Sequence, residues 1–176
     1  MGTDLKTALG TVLKIALAAV PALALTIALV LTPAAWQAAD AGKTPRYVSL
    51  GSDRVNVRTG PGVRYPVAWR FVRRGLPVEV IAEYELWRKI RDRDGAEGWV
   101  HKSLLSGRRT VVVQGKTRTF FKQPGQTMEP AFLAEAGVIC RLRYCRGEWC
   151  QVQTSGFRGW GLRKYLWGVY PDEEVE

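Results

Sequence analysis

The chain has 176 residues, a formal net charge of +10, and three cysteines beside a single histidine. That length limits it to one ordinary domain or two very small ones once a leader is set aside. The spacing C-x4-C-x4-C of Cys140, Cys145 and Cys150, with His101 remote from them in sequence, is not a zinc pattern, so neither metal nor cofactor is expected.

At the N-terminus, residues 15–39 contain no charged side chain, and the run IALAAVPALALTIALVLTPAAW is apolar enough to enter a membrane. Lys6 and Lys14 precede it, and Ala39 and Ala41 occupy the −3 and −1 positions of an A-x-A cleavage site. Residues 1–41 therefore read as a secretory signal peptide. An uncleaved membrane anchor is the rival, because the run is long for a signal. Both readings export the remainder of the chain.

The exported part is unevenly charged. Residues 43–116 carry sixteen Lys and Arg against seven Asp and Glu, a net +9, whereas residues 117–176 carry eight against seven, a net +1. The first half therefore has the field that attracts anions: lipid head groups, cell-wall carboxylates or acidic proteins, with nucleic acid not expected outside the cell. A solvated arginine-rich face that aids solubility is the plainer alternative.

The first extended segment is VNVRTGPGVRYPV. Val55 and Val57 alternate with Asn56 and Arg58, the period of a half-buried strand, and Thr59, Gly60, Pro61 and Gly62 break it before a new extended segment near Tyr65. VEVIAEY follows, with Val78, Val80, Ala82 and Tyr84 expected on one face, then WRKIRD, a turn at Asp94-Gly95, and EGWV. The same series then recurs. Trp87 matches Trp149, Ile90 matches Val152, Gly98-Trp99 matches Gly159-Trp160, Lys102 matches Arg163, Leu105 matches Leu166, and Pro61 matches Pro124, at offsets of 61 to 63 residues. Short strands separated by Gly, Pro and Asp, with no convincing helical period after Ala41, predict an all-β chain of two tandem small barrels. HKSLL and RKYLW are too short for more than one helical turn. So small a unit buries little apolar surface, and Trp87, Trp99, Trp149 and Trp160 are most simply packing residues of core or hairpin.

The stretch VNVRTGPGVRYPV…GLPVEVIAEYELWRKIRDRDGAEGWVHKSLLSG resembles the bacterial SH3 domain. It carries that family's Asn-Val-Arg-x-Gly-Pro-Gly loop, central V-x-V strand, Trp-x-x-Ile hairpin and closing Gly-Trp-Val-x-x-x-x-Leu. The second copy departs from the pattern, with no Arg or first Gly in its loop and Gly-Trp-Gly in place of Gly-Trp-Val. Its YCRGEWCQV and LWGVYPDEE are similar to the SH3-like repeat of exported Gram-negative proteins. The resemblance implies two SH3-like barrels of five or six strands, residues 46–110 and 117–170, joined by a VVVQGKT connector and followed by an acidic tail, residues 171–176. It also implies a periplasmic location, or attachment to the inner membrane if the leader is kept, and a loop bordering a shallow groove for peptides or cell-wall fragments.

On this reading the chain is not an enzyme. His101 and the cysteines lie in different repeats, and no Gly-x-Ser-x-Gly, phosphate loop or apolar carboxylate pair is present. It reads as a non-catalytic binding module, with Asn56, Arg58, Tyr65, Trp87 and Trp99 of the first barrel as candidate ligand contacts. The aromatics would stack on sugar or peptide faces and Arg58 would pair with a carboxylate. The expected partner is cell-wall peptide or peptidoglycan. The alternative is a structural or assembly role on another envelope protein, and a third possibility is an anionic lipid surface. An oxidising compartment predicts one disulfide. In YCRGEWCQV, read as a hairpin, Cys145 and Cys150 face one another while Cys140 points inward as a buried thiol. Cys150 also shares the parity of the core position Val152, so a Cys140–Cys150 bridge is the alternative unless a bulge rotates the turn.

Overall fold

The computed structural model describes residues 44–125 and 129–176. The leader, residues 1–41, lies outside the described residues. Among those described, no helix is long and apolar enough to cross a membrane.

The first sheet is built from β1 (Arg46–Leu50), β2 (Val55–Arg58), β3 (Val67–Phe71), β4 (Pro77–Tyr84), β5 (Trp87–Arg91), β6 (Glu97–His101) and β7 (Leu105–Ser106), in the order β3-β2-β6-β5-β4-β1-β7. The second is built from β8 (Thr110–Val113), β9 (Arg118–Phe121), β10 (Pro130–Ala134), β11 (Ile139–Arg146), β12 (Trp149–Thr154), β13 (Phe157–Leu162) and β14 (Leu166–Trp167), in the order β10-β9-β13-β12-β11-β8-β14. The two orders are identical when the labels are advanced by seven. Each sheet has seven strands rather than five or six, because a two-residue strand, β7 or β14, pairs with the first strand of its own repeat. The only helical pieces among the described residues are single 3₁₀ turns at the matched positions Lys102–Leu104 and Arg163–Tyr165.

The repeat in the sequence is a repeat in strand register. Ile90 lies opposite Gly98, and Val152 lies opposite Gly159. At Gly98 an added Cβ would come within 2.4 Å of the Val57 Cγ1, and at Gly159 within 2.9 Å of the Phe120 Cβ. The glycine of each Gly-Trp pair thus lets β2 or β9 cross closely over the hairpin. Beneath it, Leu50, Val55, Val57, Val78, Val80, Ile90 and Val100 form the first core. Val111, Val113, Phe120, Cys140, Leu142, Cys145, Cys150, Val152 and Leu166 are central to the second.

Three expectations need correction. A bulge between Val80 and Ala82 in β4, repeated between Leu142 and Tyr144 in β11, shifts the register by one residue. The alternation Val78, Val80, Ala82, Tyr84 therefore fails: Val78 and Val80 are buried, Ala82 is half-buried and Tyr84 is exposed. Second, of the core and hairpin roles expected for Trp87, Trp99, Trp149 and Trp160, the core one fails: they stand on the hairpins, half-buried, and belong to neither core. They occupy the outer sheet surface, because the inner positions of these strands are taken by Ile90, Val100 and Val152. Third, VVVQGKT is not a connector and the second barrel does not start at residue 117. Thr110–Val113 is the buried strand β8, hydrogen-bonded between β11 and β14.

The two barrels belong to one compact unit. Thr110 Oγ1 donates to the Gly75 carbonyl at 2.7 Å, and the Tyr170 hydroxyl donates to Glu79 at 2.8 Å. Tyr47 of β1 packs edge-on against Trp167 at 5.2 Å and at a tilt against Tyr170 at 4.6 Å. Burial, reinforced by the neighbouring Glu79 charge, pushes the Tyr47 phenol above its ordinary pKa. Residues 171–176 do not trail into solvent. Arg109 forms a bidentate pair with Glu173, Arg163 donates to the carbonyls of Tyr170 and Glu173, both at 2.6 Å, and Val175 bridges Cys145 through two backbone hydrogen bonds.

Candidate binding face

The loop that follows β2 is organised by Arg58. Its Nη1 donates to the carbonyls of Tyr65 at 2.7 Å and Val63 at 3.1 Å, while Thr59 N donates to Pro66 O at 3.1 Å. The Tyr65 ring closes over Gly60, where a Cβ would meet it at 2.5 Å, and Arg64 reaches across the ring at 5.2 Å from its centroid. The Arg-Thr-Gly-Pro-Gly motif is thereby explained. Gly60 leaves space for the tyrosine, and the arginine two residues earlier ties the far limb of the loop to the strand.

Strand register decides which side chains share a surface, since directly opposed residues lie on the same face and so do residues two apart. Arg58 opposes Trp99, Trp99 opposes Lys89, and Trp87 opposes His101. Asn56 is two residues from Arg58 and accepts from Arg70 Nε at 2.7 Å. Asn56, Arg58, Trp87 and Trp99 therefore share the outer face of β2-β6-β5, and Tyr65 borders it from the loop. The sequence-derived set comes together, with a changed role for one member. Arg58 spends Nη1 on the loop, and among the described residues none of its other nitrogens has a protein partner, so they remain to meet a ligand.

Two residues of this face were missed from the sequence, Lys89 and His101. The signal for both was period two, since each lies two positions from a tryptophan already singled out. Lys89 pairs with Glu97 at 2.7 Å, and Arg91 joins the same carboxylate at 2.9 Å. Hydrogen bonds from Lys89 and then Arg91 hold Glu97 below the usual carboxylate range. The His101 ring meets Trp87 edge-on at 5.5 Å, and its Nδ1 accepts from Ser103 N and touches Ser103 Oγ at 2.7 Å. That contact caps the 3₁₀ turn.

In the second barrel the matched face is different. Phe121 opposes Trp160 as Arg58 opposes Trp99, Gln151 stands at the place of Lys89, and Leu162 at the place of His101. Its buried interior holds the Cys145–Cys150 disulfide, between residues directly opposed in β11 and β12 with Cα atoms 4.1 Å apart. Cys140 is the buried free thiol, and burial pushes its pKa up to about 11.

Residues 51–107 and 114–168 each match the bacterial SH3 domain. The chain belongs to the bacterial SH3 domain family. Its two SH3 domains carry the two sheets described above. Among solved structures, the chain is similar to NlpC2 from Trichomonas vaginalis, at 12% identity over 70% of this chain and 48% of that one, with a TM-score of 0.32. It is likewise similar to NlpC1 from the same organism, at 14% identity over 73% of this chain and 48% of that one, with a TM-score of 0.33. The chain thus spans about half the length of each. No curated protein matches it.

Proposed function

We propose that the chain is a non-catalytic binding module of the bacterial cell envelope, working in the periplasm, and that the outer face of the first SH3 domain recognises cell-wall peptide or peptidoglycan. The observation that carries this reading is the meeting of Trp87, Trp99, Asn56 and Arg58 on one half-exposed surface beside the Tyr65 loop. Flat aromatic rings offer area for sugar or peptide faces, and the free guanidinium nitrogens of Arg58 offer donors to a carboxylate. Membership of the bacterial SH3 family supports the ligand class. The second domain has Phe121, Gln151 and Leu162 at the matched places and so lacks the Arg58 and Lys89 cations of this site.

Sedimentation of the full chain with purified peptidoglycan tests this. Trp87→Ala and Trp99→Ala should each weaken binding by about threefold to tenfold, while Trp149→Ala and Trp160→Ala leave it unchanged. Equal losses from both domains would refute the assignment to the first face. Failure to sediment together with copurification of one envelope protein would favour an assembly role through the basic first domain instead.

A further inference from the structure

Beside its aromatic residues, the outer face of the first domain carries a line of charged side chains that ends on the second domain. Glu79, Arg91 and Glu97 are directly opposed across β4, β5 and β6. Arg91 Nη1 donates to Glu79 Oε2 at 3.3 Å, and its Nε and Nη2 donate to Glu97 Oε1 at 3.0 and 2.9 Å. The other oxygen of Glu97 takes Lys89 Nζ at 2.7 Å. The other oxygen of Glu79 accepts from the Tyr170 hydroxyl at 2.8 Å. Each carboxylate thus gives one oxygen to Arg91 and one to a further donor. The line Tyr170–Glu79–Arg91–Glu97–Lys89 runs unbroken from the second domain to the cation that opposes Trp99.

The line is fixed at its Tyr170 end. Arg163 Nη1 donates to the Tyr170 carbonyl at 2.6 Å, Tyr170 N donates to Glu173 Oε2 at 3.1 Å, and the Tyr47 ring packs against the phenol ring at 4.6 Å. Burial, and then the Glu79 carboxylate, push the Tyr170 phenol up, so the hydroxyl keeps its proton and goes on donating. The Glu79 side chain is 12% exposed against 32% for Glu97, so solvent screens the line least at the domain junction. The second domain has no equivalent. Opposed across β11, β12 and β13 at the matched places stand Arg141, Gln153 and Arg158, with Gln151 at the place of Lys89. The line therefore belongs to the one domain whose outer face carries the row Arg58, Trp99 and Lys89.

We infer that Tyr170 is a positioning residue for the ligand face: through Glu79, Arg91 and Glu97, the second domain sets how far Lys89 is free to meet a ligand beside Trp99. Without the hydroxyl, Glu79 draws the shared Arg91 toward itself and Glu97 loses part of that partner. Lys89 is then left to answer the Glu97 charge instead of a ligand carboxylate. The effect on affinity rests on the reading of that face as the cell-wall site; the line of contacts does not. Tyr170→Phe keeps the ring against Tyr47 and removes only the donor. In the full chain without ligand, the Glu97 carboxyl of Tyr170→Phe, followed by side-chain carbon NMR, should titrate at higher pH than in the natural chain. Tyr165→Phe, the same change outside the line, should leave it unmoved. Sedimentation with peptidoglycan should weaken about twofold to threefold in Tyr170→Phe. In a Lys89→Gln background the same substitution should add nothing, because the residue it acts through is gone. An unmoved Glu97 titration, or an equal shift in Tyr165→Phe, would overturn the inference. So would sedimentation that falls in Trp87→Ala and holds in Tyr170→Phe. A Glu97 shift with sedimentation unchanged in both Trp87→Ala and Tyr170→Phe would uphold the positioning of Lys89 and refute the cell-wall reading instead.

Discussion

The two SH3 domains solve the same packing problem with different chemistry, most plainly inside the hairpin that each bulge creates. In the first domain Glu83 lies opposite Arg88 and the pair is joined at 3.1 Å, both side chains mostly buried; Arg46 binds the same carboxylate. In the second domain the residues at those positions are Cys145 and Cys150, joined covalently. The central β2 and β9 positions differ as well, with Val57 in one core and Phe120 in the other. Phe120 stacks on Phe132 at 4.8 Å. One architecture therefore carries a valine and an ion pair at places where the other carries a phenylalanine and a disulfide. The outer faces diverge in parallel, with Arg58, Lys89 and His101 of the first replaced by Phe121, Gln151 and Leu162 at the matched places of the second.

The core difference gives the largest expected effect. Phe120→Ala should destabilise by about 3–5 kcal/mol and Val57→Ala by about 2 kcal/mol, read from urea denaturation. Amide exchange should speed most within β8–β14 for the former and within β1–β7 for the latter. If both substitutions loosen both sheets alike, the domains unfold as one unit and the comparison fails at the level of stability.

A smaller effect separates the two cross-links. Cys145→Ser with Cys150→Ser should cost about 2 kcal/mol, modest because the closed loop is short. Glu83→Gln should cost about 1 kcal/mol, since a neutral acceptor replaces a charged one. Thermal unfolding with and without reductant checks the distinction: reductant should lower the midpoint of the natural chain and of Glu83→Gln, and leave the double serine variant unmoved.

The smallest effect is one of pH. Burial alone would raise the Glu173 carboxyl, but its hydrogen bonds with Arg109 and the Tyr170 amide hold it below the ordinary range. A carboxyl depressed in the folded state contributes stability that is present above its unfolded pKa and fades as pH falls through the folded one. Glu173→Gln should accordingly be less stable than the natural chain at neutral pH, and the gap should close on acidification below the usual carboxylate range. A gap that persists to low pH would assign the tail's hold to Arg163 and the Val175 bridge.

Much of this was legible before any coordinates. Gly98-Trp99 and Gly159-Trp160 stand out because close strand crossing forces glycine at a fixed place, and the short turn favours Cys145–Cys150, although only the bulge in β11 decides it against Cys140–Cys150. The outer face was legible in part, through the alternation of Asn56 and Arg58 with Val55 and Val57. What escaped were effects of sequence-distant contact. The strand Thr110–Val113 reads as a linker between repeats, and only pairing with β11 and β14 reveals it as core. Arg58 looks free until the Val63 and Tyr65 carbonyls come back to meet it. The clasping of residues 171–176 depends on Arg109, sixty-four residues before Glu173. A bulge leaves no composition signal at all, so the failed alternation after Val80 could not be read.

That bulge also makes the fold easy to edit. It occurs at the same place in both sheets and turns the next cross-strand pair inward, without dictating what the pair is made of. Nature has already written a charge pair into one slot and a covalent bond into the other. For a protein engineer, positions 83 and 88 are therefore a socket: a second staple, or an apolar plug, can be installed there while the recognition surface on the other side of the strand is left alone.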